Sequence, residues 1–325
     1  MKIVYPYLAF LLITFIANAA SFIVKDGEAR AEIVLAEDAP RSTRFAARDL
    51  QVYLEKMSGA KLAVVAKPSG KRVVKLFVGE SAGTRALKLS AEGLEHGAYR
   101  LVSGSDWLAF LGDDTDFVPK EPWAKNNGDR VTGKYQREWE QASGTSFGVP
   151  NGGMYKNRER MPAELAREPD ERYWTFDERG SFNAVCGFLK QLGVRWYLPG
   201  ELGEVVPRRK TIDLPKIDTI VKPDFPLRQF SVRFGTANDP TTMWIMRLGT
   251  RNPYGLMVAH GMHTMTHNEH TLKNHPDWFA LYGGKRATKL GERLNHLCYS
   301  NPELFQAAVK WAWAQFDVYD YDSVS

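Results

Sequence analysis

The chain has 325 residues, of which 44% are hydrophobic and 25% charged, which is the composition of an ordinary globular protein with about two domains. Its formal net charge of +5 is spread along the sequence, and no run of basic residues has the density of a nucleic-acid-binding surface. Cys186 and Cys298 both lie in apolar sequence, so we expect two buried free thiols rather than a disulfide.

Residues 1–20 have the pattern of a secretory signal peptide. Lys2 gives a positive start, an apolar run occupies residues 8–16, and A-N-A at 17–19 offers a small–x–small cleavage site. An uncleaved membrane anchor is the alternative, because the apolar stretch approaches the ~20 residues that span a bilayer. Pro6 and the alanine-rich end favour cleavage, so we expect a secreted or periplasmic protein that is not membrane-bound afterwards.

The segments that follow predict a small mixed sheet with helices on one side. A buried strand at 31–36 precedes a helix over 40–57, whose apolar residues form a single stripe. Strands at 62–66 and 73–78 come next, and the apolar runs of 97–112 flank a Gly-Ser-Asp turn that is typical of a β-hairpin. This order of elements is that of an α/β domain.

Residues 177–207 can be assigned almost residue by residue. Ser181 is a candidate N-cap, and apolar side chains then recur at helical spacing as far as Leu192. Gly193 stands at the left-handed position that ends many helices, and a short aromatic strand is predicted at 194–198. A helix that leads directly into a strand is typical of a crossover unit packed on a sheet, so this segment should close the domain.

The sequence GSFNAVCGFLKQLGVRWYLPGELGEVVP, at 180–207, resembles the end of the N-terminal α/β domain that precedes the catalytic barrel in bacterial α-glucuronidases and β-hexosaminidases. It is most similar to the version found in secreted bacterial proteins of unknown function. AARDLQVYLEKMSGAKLAVV, at 46–65, is similar to the first half of the same domain. The resemblance implies a glucuronidase-type N-terminal domain over 21–222 and suggests a reaction only by analogy.

Residues 115–179 form an insert in this domain. In the family, a G-D-D like that at 112–114 passes directly into the glycine-initiated helix, whereas here the whole insert intervenes. The insert is rich in proline, glycine and charge, but its three tryptophans argue against full disorder. We expect an irregular flap with one short helix near 134–141, lying over the sheet or reaching the next domain.

Residues 223–325 predict the opening of a (β/α) barrel. Strand-like runs at 227–234, 255–260 and 297–300 alternate with helical segments, of which 301–316 begins with an asparagine cap and a proline. HPDWFALYGGKR followed by LCYSNPELF is similar to the early barrel of the same secreted group. A complete barrel needs about 200 or more residues, so we expect only its first βα units here, a truncated barrel with parallel neighbouring strands.

A histidine-rich segment is the most conspicuous candidate site. His260, His263, His267 and His270 are spaced by three, four and three residues, which would place them on one face of a helix. A transition-metal site is one interpretation, although no cysteine accompanies the histidines and we expect no metal or other cofactor. A sugar-binding loop at the C-terminal rim of the barrel is the second, and an exposed loop without a role is the third.

Glycoside hydrolysis uses two carboxylic groups on opposite sides of the bond, one protonated and one ionised. The sequence offers three acidic pairs: Asp113 and Asp114, Asp177 and Glu178, and Glu201 and Glu204. All three lie in the predicted N-terminal domain, which is not catalytic in the enzymes that the resemblance names. By that resemblance, we expect the catalytic carboxylates on barrel strands beyond the C-terminus of this chain.

Two arginines alternate along the first predicted barrel strand. Arg233 could hold a uronate carboxylate in a bidentate pair, whereas Arg228 and Arg233 could equally form structural ion pairs between the barrel and the N-terminal domain.

We therefore expect a secreted, glycoside hydrolase-like protein that acts on a polysaccharide or oligosaccharide, with a uronic-acid-bearing glycan as the sharper expectation. Its expected substrate contacts are Arg233, His260, His263 and His267. As an enzyme it would be an α-glucuronidase-like glycosidase. A non-catalytic carbohydrate-binding or envelope protein of the same architecture is the alternative, and no nucleic-acid partner is expected.

Overall fold

The computed structural model describes residues 21–71, 73–117, 132, 134–144, 159–160, 173–174, 176–229, 240–252, 261–266, 269–286, 288–289 and 296–319. Its strands are β1 Phe22–Lys25, β2 Glu28–Ala29, β3 Ala31–Val34, β4 Ala63–Val65, β5 Val74–Val78, β6 Tyr99–Ser103, β7 Trp107–Gly112, β8 Glu159–Arg160, β9 Tyr173–Trp174, β10 Arg195–Trp196, β11 Glu204–Val205, β12 Ile212–Asp213, β13 Asp218–Val221, β14 Leu281–Tyr282 and β15 Lys285–Arg286. Its helices are α1 Arg41–Ser58, α2 Ala82–Ala86, α3 Gln136–Ser143, α4 Gly180–Gln191, α5 Thr241–Arg247, α6 Gly261–Thr266, α7 Glu269–Asn274 and α8 Pro302–Tyr319, with 3-10 turns at Glu201–Gly203 and Pro276–Trp278.

A mixed sheet of six described strands forms the centre of the fold, in the order β13-β6-β7-β5-β3-β4. Strands β3, β4, β5 and β7 are parallel, whereas β6 is antiparallel to β7 and β13 is antiparallel to β6. The predicted mixed α/β architecture is confirmed, and the hairpin predicted over 97–112 is β6–β7.

Successive residues of a strand point to opposite faces, and the central strands supply two cores in this way. Ile33 and Leu76 belong to the core beneath α1 and α4, whereas Val34 and Phe77 belong to a smaller core on the other face. Helix α1 contributes its predicted apolar stripe to the first core: Phe45, Leu50, Tyr53, Leu54 and Met57. The helix ends at Gly59, whose φ of 83° is the left-handed conformation that glycine adopts without strain.

The chain leaves the two central strands towards opposite faces of the sheet. After β3 it enters α1 on one face, and after β5 it passes through α2 to Leu89 and Leu94, which pack on the other face. Because β3 and β5 are neighbours, a crevice opens between their carboxyl ends, the position where ligands bind in many open α/β sheets.

The start of α4 differs from the sequence prediction. Ser181 is not the N-cap: it lies in the first turn, fully buried, and its amide donates to Oδ1 of Asp114 at 3.0 Å. A carboxylate from the end of β7 therefore satisfies the free helix amide that the serine hydroxyl was expected to satisfy. The end of β7 and the start of α4 approach each other closely, since a Cβ on Gly112 would lie 2.3 Å from the backbone of Gly180.

The strand predicted at 194–198 is wrong in its length and its partner. Only β10 forms, and it pairs antiparallel with β11 rather than joining the six-stranded sheet. The indole of Trp196 is buried, and it donates to the hydroxyl of Tyr53 at 2.7 Å. The chain then turns back through the 3-10 turn, because the amide of Tyr197 binds the carbonyl of Gly203.

The insert is closed at its base and reaches the C-terminal region. Its two ends meet where the amide of Glu178 binds the carbonyl of Thr115, and Arg41 donates to Asp177 at 2.7 Å and to the carbonyl of Phe117 at 2.8 Å. The predicted short helix is α3. Three aromatic residues of the insert pack against the core of the C-terminal region: Phe117, Tyr135 and Phe176.

The C-terminal region has a core built by α6, α7, the second 3-10 turn and α8. Helix α8 confirms the helix predicted at 301–316, and the side chain of Asn301 caps it by accepting from the amides of Glu303 and Leu304. One face of α8 is buried, whereas a second apolar stripe is exposed: Phe305, Val309, Trp313 and Phe316.

The strands predicted for the barrel are only partly within the described residues. The strand at 297–300 is wrong: Leu297 makes an isolated antiparallel bridge with Phe279, and a turn follows because Asn301 binds back to the carbonyl of Cys298. The runs at 227–234 and 255–260 lie mostly or wholly outside the described residues, so the parallel barrel strands stay a prediction.

Two smaller predictions concern thiols and membranes. Both cysteines are free, but Cys298 is partly exposed, so only Cys186 is the buried thiol that was expected. In the part of the chain that the structure describes, no helix is both long and apolar enough to span a bilayer.

Candidate functional site

The residues predicted to contact substrate lie almost entirely outside the described part of the chain. Arg233, His260 and His267 are outside it, and His263 lies in α6 without a described side chain. His275 stacks on Trp278 with ring centroids 3.9 Å apart, and burial lowers its pKa. No group of three or more metal-ligating side chains occurs among the described residues.

Arg228 joins the C-terminal region to the sheet. Its guanidinium donates to the carbonyl oxygens of Gly249, Phe225 and His96, at 3.1, 2.6 and 3.1 Å. These contacts correspond to the structural alternative for Arg228, although the partners are backbone carbonyls rather than a carboxylate.

Three members of the acidic pairs, Asp177, Glu178 and Glu204, are engaged in structural ion pairs. Asp177 binds Arg41, and both carboxylate oxygens of Glu178 lie 2.9 Å from Nε of Arg251. Glu204 accepts from Lys56 at 2.8 Å and from the hydroxyl of Tyr53. Burial would raise the pKa of Glu204, but these hydrogen bonds and the nearby cations outweigh it and lower the pKa.

A buried ionic contact fixes α5 against the sheet region. Arg247 makes a bidentate pair with Asp49, at 2.8 and 3.0 Å, and stands 3.6 Å from Glu204. Its guanidinium also lies over the ring of Tyr53, 5.2 Å from the centroid. Separation of Arg247 from Asp49 would leave a buried charge unpaired, which costs free energy. The contact therefore favours one arrangement of α5 against α1.

One pocket lies in the crevice at the carboxyl ends of β3, β5 and β7. It is a cavity of about 440 Å³ bounded by the start of α1, by Glu80 just after β5, by the end of β7 and by the loop 91–95. Five carboxylates line it: Glu80, Glu92, Glu95, Asp113 and Asp114. This volume is within the range of small-molecule sites, and the position is the one expected for an open α/β sheet.

Asp114 is the most perturbed group of this pocket. Enclosure of its carboxyl raises the pKa from 3.8 to about 7, and the nearby charge of Asp113 adds to the effect. Hydrogen bonds from Ser181 and Thr43 oppose it. Asp114 is therefore poised to exchange a proton near neutral pH, a property that is common at functional sites.

Two buried hydroxyl groups stand beside Asp114. Thr43 is 1% exposed and Ser181 is 0% exposed, and both hydroxyl groups interact with the carboxyl of Asp114. Thr43 also lines the pocket. Asp114 is therefore the polar neighbour that the two hydroxyl groups share.

A second, larger cavity of about 800 Å³ lies at the opposite, amino ends of the same strands. Four cationic side chains line it: Lys25, Arg30, Lys71 and Lys75. Asp106 is the acidic side chain of its described lining. We refer to this cavity as the basic groove, and to the cavity around Asp114 as the acidic pocket.

Sequence reasoning named Asp113 and Asp114 only as an acidic pair in a domain that the resemblance makes non-catalytic, and it missed Thr43 and every residue of the basic groove. The signal for the acidic pocket was available, because its residues directly follow strands whose carboxyl ends meet at one edge. The basic groove gave no local signal, since its cations are far apart in the sequence and meet only through strand pairing.

Comparison with known protein families gives a match for the C-terminal part of the chain. A family model described as a domain of unknown function (DUF4838) matches residues 198–324. The matched range begins just after β10, so it includes Glu204 and Arg247 of the ionic contact with Asp49. The search of curated proteins gives no match.

Proposed function

We propose that this protein is a secreted carbohydrate-active protein that engages a polysaccharide bearing uronic acid, with glycoside hydrolase-like action. The basic groove is the observation that carries the proposal. Its four cations and single carboxylate give it a positive field, and its volume of about 800 Å³ accommodates several sugar units.

The chemistry of the groove suits a uronate chain. Lys71, Lys25 and Arg30 are exposed, so they can reach carboxylates along an extended polymer without large desolvation. Nζ of Lys75 is held by the carbonyls of Lys71 and Val73, at 3.0 and 2.6 Å, which fixes one charge at the base of the groove. Successive carboxylates of the polymer would meet successive cations of the protein.

The arrangement of the two regions supports the proposed architecture, a glucuronidase-type α/β domain followed by the start of a (β/α) barrel. Arg247, Arg251 and Arg228 bind α5 and its flanks to the sheet region. Helix α8 has a buried and an exposed apolar face, as a helix has when it packs between two layers. The resemblance assigns glycosidic cleavage to barrel carboxylates rather than to the acidic pairs described above.

A non-catalytic carbohydrate-binding protein of the same architecture is the second candidate. It is favoured by the engagement of Asp177, Glu178 and Glu204 in ion pairs, which removes them as an acid and a base for glycoside cleavage.

Binding of defined polysaccharides to the full chain tests the proposal. We expect polygalacturonate to bind at least about ten times more tightly than its methyl-esterified, neutral form, because only the former offers carboxylates to the groove. Lys71→Glu should lower the affinity by about tenfold, and Lys71→Arg should retain it. Lys285→Glu, on the β14–β15 hairpin outside the groove, is the matched control. Equal binding of the charged and neutral polymers would disprove the proposed substrate class.

Release of new reducing ends separates the two candidate functions. A hydrolase releases them from the bound uronic-acid polymer or from an aryl glucuronide, whereas a binding protein retains affinity without release. Binding without release would support the basic groove as a binding site and would disprove the proposed glycoside hydrolase-like action.

A further inference from the structure

Strand β13 is the last strand at one edge of the described six-stranded sheet, where β6 is its neighbour. All four of its residues are exposed, including the apolar side chains of Ile220 and Val221. The free edge of a strand presents a row of backbone N–H and C=O groups that can pair with another chain. The inference drawn from this edge does not rest on the proposed function.

The hydrogen bonds to β6 fix which residues of β13 direct their backbone groups outward. The amide of Ser103 donates to the carbonyl of Ile217 at 2.8 Å, and the register of the two strands places these residues opposite each other. Hydrogen-bonded and non-hydrogen-bonded pairs alternate along an antiparallel ladder, so the odd-numbered residues of β13 bond towards β6. The N–H and C=O groups of Asp218 and Ile220 therefore point to the free edge.

The charges in and around β13 alternate in sign about Ile220. Asp218 and Lys222 stand two residues from it, and Lys216 and Asp224 stand four residues from it. All four charged side chains are exposed. A segment with opposite charges at equal distances on the two sides of a centre is complementary to a second copy of itself that runs antiparallel.

These charges are available to a second chain. Among the described residues, Lys216, Lys222 and Asp224 make no ion pair. Asp218 accepts from Arg100 at 2.9 Å through each carboxylate oxygen, but its side chain is still 60% exposed. An ionised carboxylate has about four acceptor positions, so Asp218 can accept from a further cation.

We propose that β13 pairs antiparallel with β13 of a second copy of this chain, about a two-fold axis at Ile220. Asp218 then faces Lys222 of the second copy, Lys216 faces Asp224 of the second copy, and the symmetry forms each pair twice. The outward backbone groups of Ile220 meet those of Ile220 of the second copy, so the two residues exchange both hydrogen bonds. The two six-stranded sheets become one continuous sheet.

Charge also disfavours the neighbouring registers. Moving the axis by one residue brings Lys216 opposite Lys222 or Asp218 opposite Asp224, and moving it by two brings Asp218 or Lys222 opposite itself. Like charges directly opposite each other are destabilising. Lysines often protect a strand edge from pairing, but here each lysine has an aspartate at the matching distance, so the charges select the register centred on Ile220.

Sedimentation velocity of the full chain tests the inference. Between about 1 and about 200 µM, we expect the average mass to rise from one chain to two. Lys216→Asp should raise the concentration of half-association at least about tenfold, because it places two carboxylates opposite each other on both sides of the axis. Lys285→Asp, on the β14–β15 hairpin, changes the net charge equally and should leave the association unchanged. A chain that stays a single copy at the highest concentration would overturn the inference.

A charge exchange separates this register from a general effect of charge. Lys216→Asp combined with Asp224→Lys exchanges the two members of one pair, so association should return to within about threefold of the original chain. The exchange leaves the contact of Asp218 with Arg100 in place. A double variant that associates no better than Lys216→Asp alone would overturn the proposed register.

A disulfide at Ile220 locates the axis directly. Residues that form a hydrogen-bonded pair have Cα atoms about 5.5 Å apart, within the range of a disulfide. Ile220→Cys, with Cys298→Ser to remove the partly exposed natural thiol, should link two copies under mild oxidation at least about ten times faster than Val64→Cys in the same background. Val64 is the matched control, because it is similarly exposed and lies on β4 at the other edge of the sheet. Equal rates of linking would overturn the inference.

Discussion

The two ends of the central sheet show how one set of strands can support two different electrostatic surfaces. At the carboxyl ends, carboxylates are gathered in a crevice and one of them, Asp114, is enclosed enough for its pKa to rise to about 7. At the amino ends, the lysines and the arginine stay largely solvated around an open groove. The acidic end is therefore coupled to folding, whereas the basic end should affect binding and little else.

Among the variants that distinguish the two ends of the sheet, Asp114→Asn should have the largest effect on stability. The folded protein binds the Asp114 proton more tightly than the unfolded chain, so this contribution to stability is full below pH 3.8 and is lost as the pH rises through about 7. Relative to Asp114→Asn, the wild-type protein should lose up to about 4 kcal/mol of unfolding free energy between pH 4 and pH 8.

Urea denaturation at a series of pH values measures this difference. Asp106→Asn, in the basic groove, is the matched control and should follow the wild-type profile. Parallel profiles for wild type and Asp114→Asn would show that Asp114 is not enclosed in the way described.

Glycine substitutions should separate the two ends by packing rather than charge. Gly112→Ala would place a methyl group 2.3 Å from the backbone of Gly180, so we expect a loss of about 3 kcal/mol in unfolding free energy. Gly70→Ala, in the basic groove, meets nothing within 4 Å and should change stability by less than about 0.5 kcal/mol. Chemical denaturation of both variants checks the pair, and similar losses would contradict the difference in packing.

Salt should weaken binding at the basic end of the sheet. Between about 50 and about 500 mM NaCl, the affinity for polygalacturonate should fall by about tenfold or more, because the cations of the basic groove are solvated and readily screened. Isothermal titration at both salt concentrations measures the change, and an affinity that does not fall would contradict binding by solvated charges.

Glu28→Gln should give the smallest effect. Glu28 pairs with Arg30 at 2.5 Å, but both side chains are more than half exposed, so the loss of the pair should change the unfolding free energy by less than about 0.5 kcal/mol. Release of Arg30 should raise the affinity for polygalacturonate by about twofold. A loss of affinity in titrations of this variant would mean that Glu28 positions Arg30 rather than neutralises it.

The sequence by itself determined the elements whose patterns are local. The stripe of α1, the β6–β7 hairpin, the cap of α8 at Asn301 and the left-handed Gly193, with its φ of 97°, were all predicted from spacing and residue type. Such features depend on neighbours three or four positions away, so a single sequence contains them.

Only the tertiary structure decided what the local patterns leave open. Ser181 was expected to cap its own helix, but Asp114, 67 residues earlier, does so instead because β7 ends beside it. The strand at 194–198 was expected in the sheet, but its Trp196 is held by Tyr53 and its pairing with β11 turns it away.

The two cavities are the clearest case. Lys25 and Lys75 on one side, and Thr43 and Asp114 on the other, come together only because β3, β5 and β7 lie side by side and β1, from a second sheet, contacts β3. Their separation along the chain carries no signal of this, since strand order, not sequence distance, sets which residues meet at the end of a sheet.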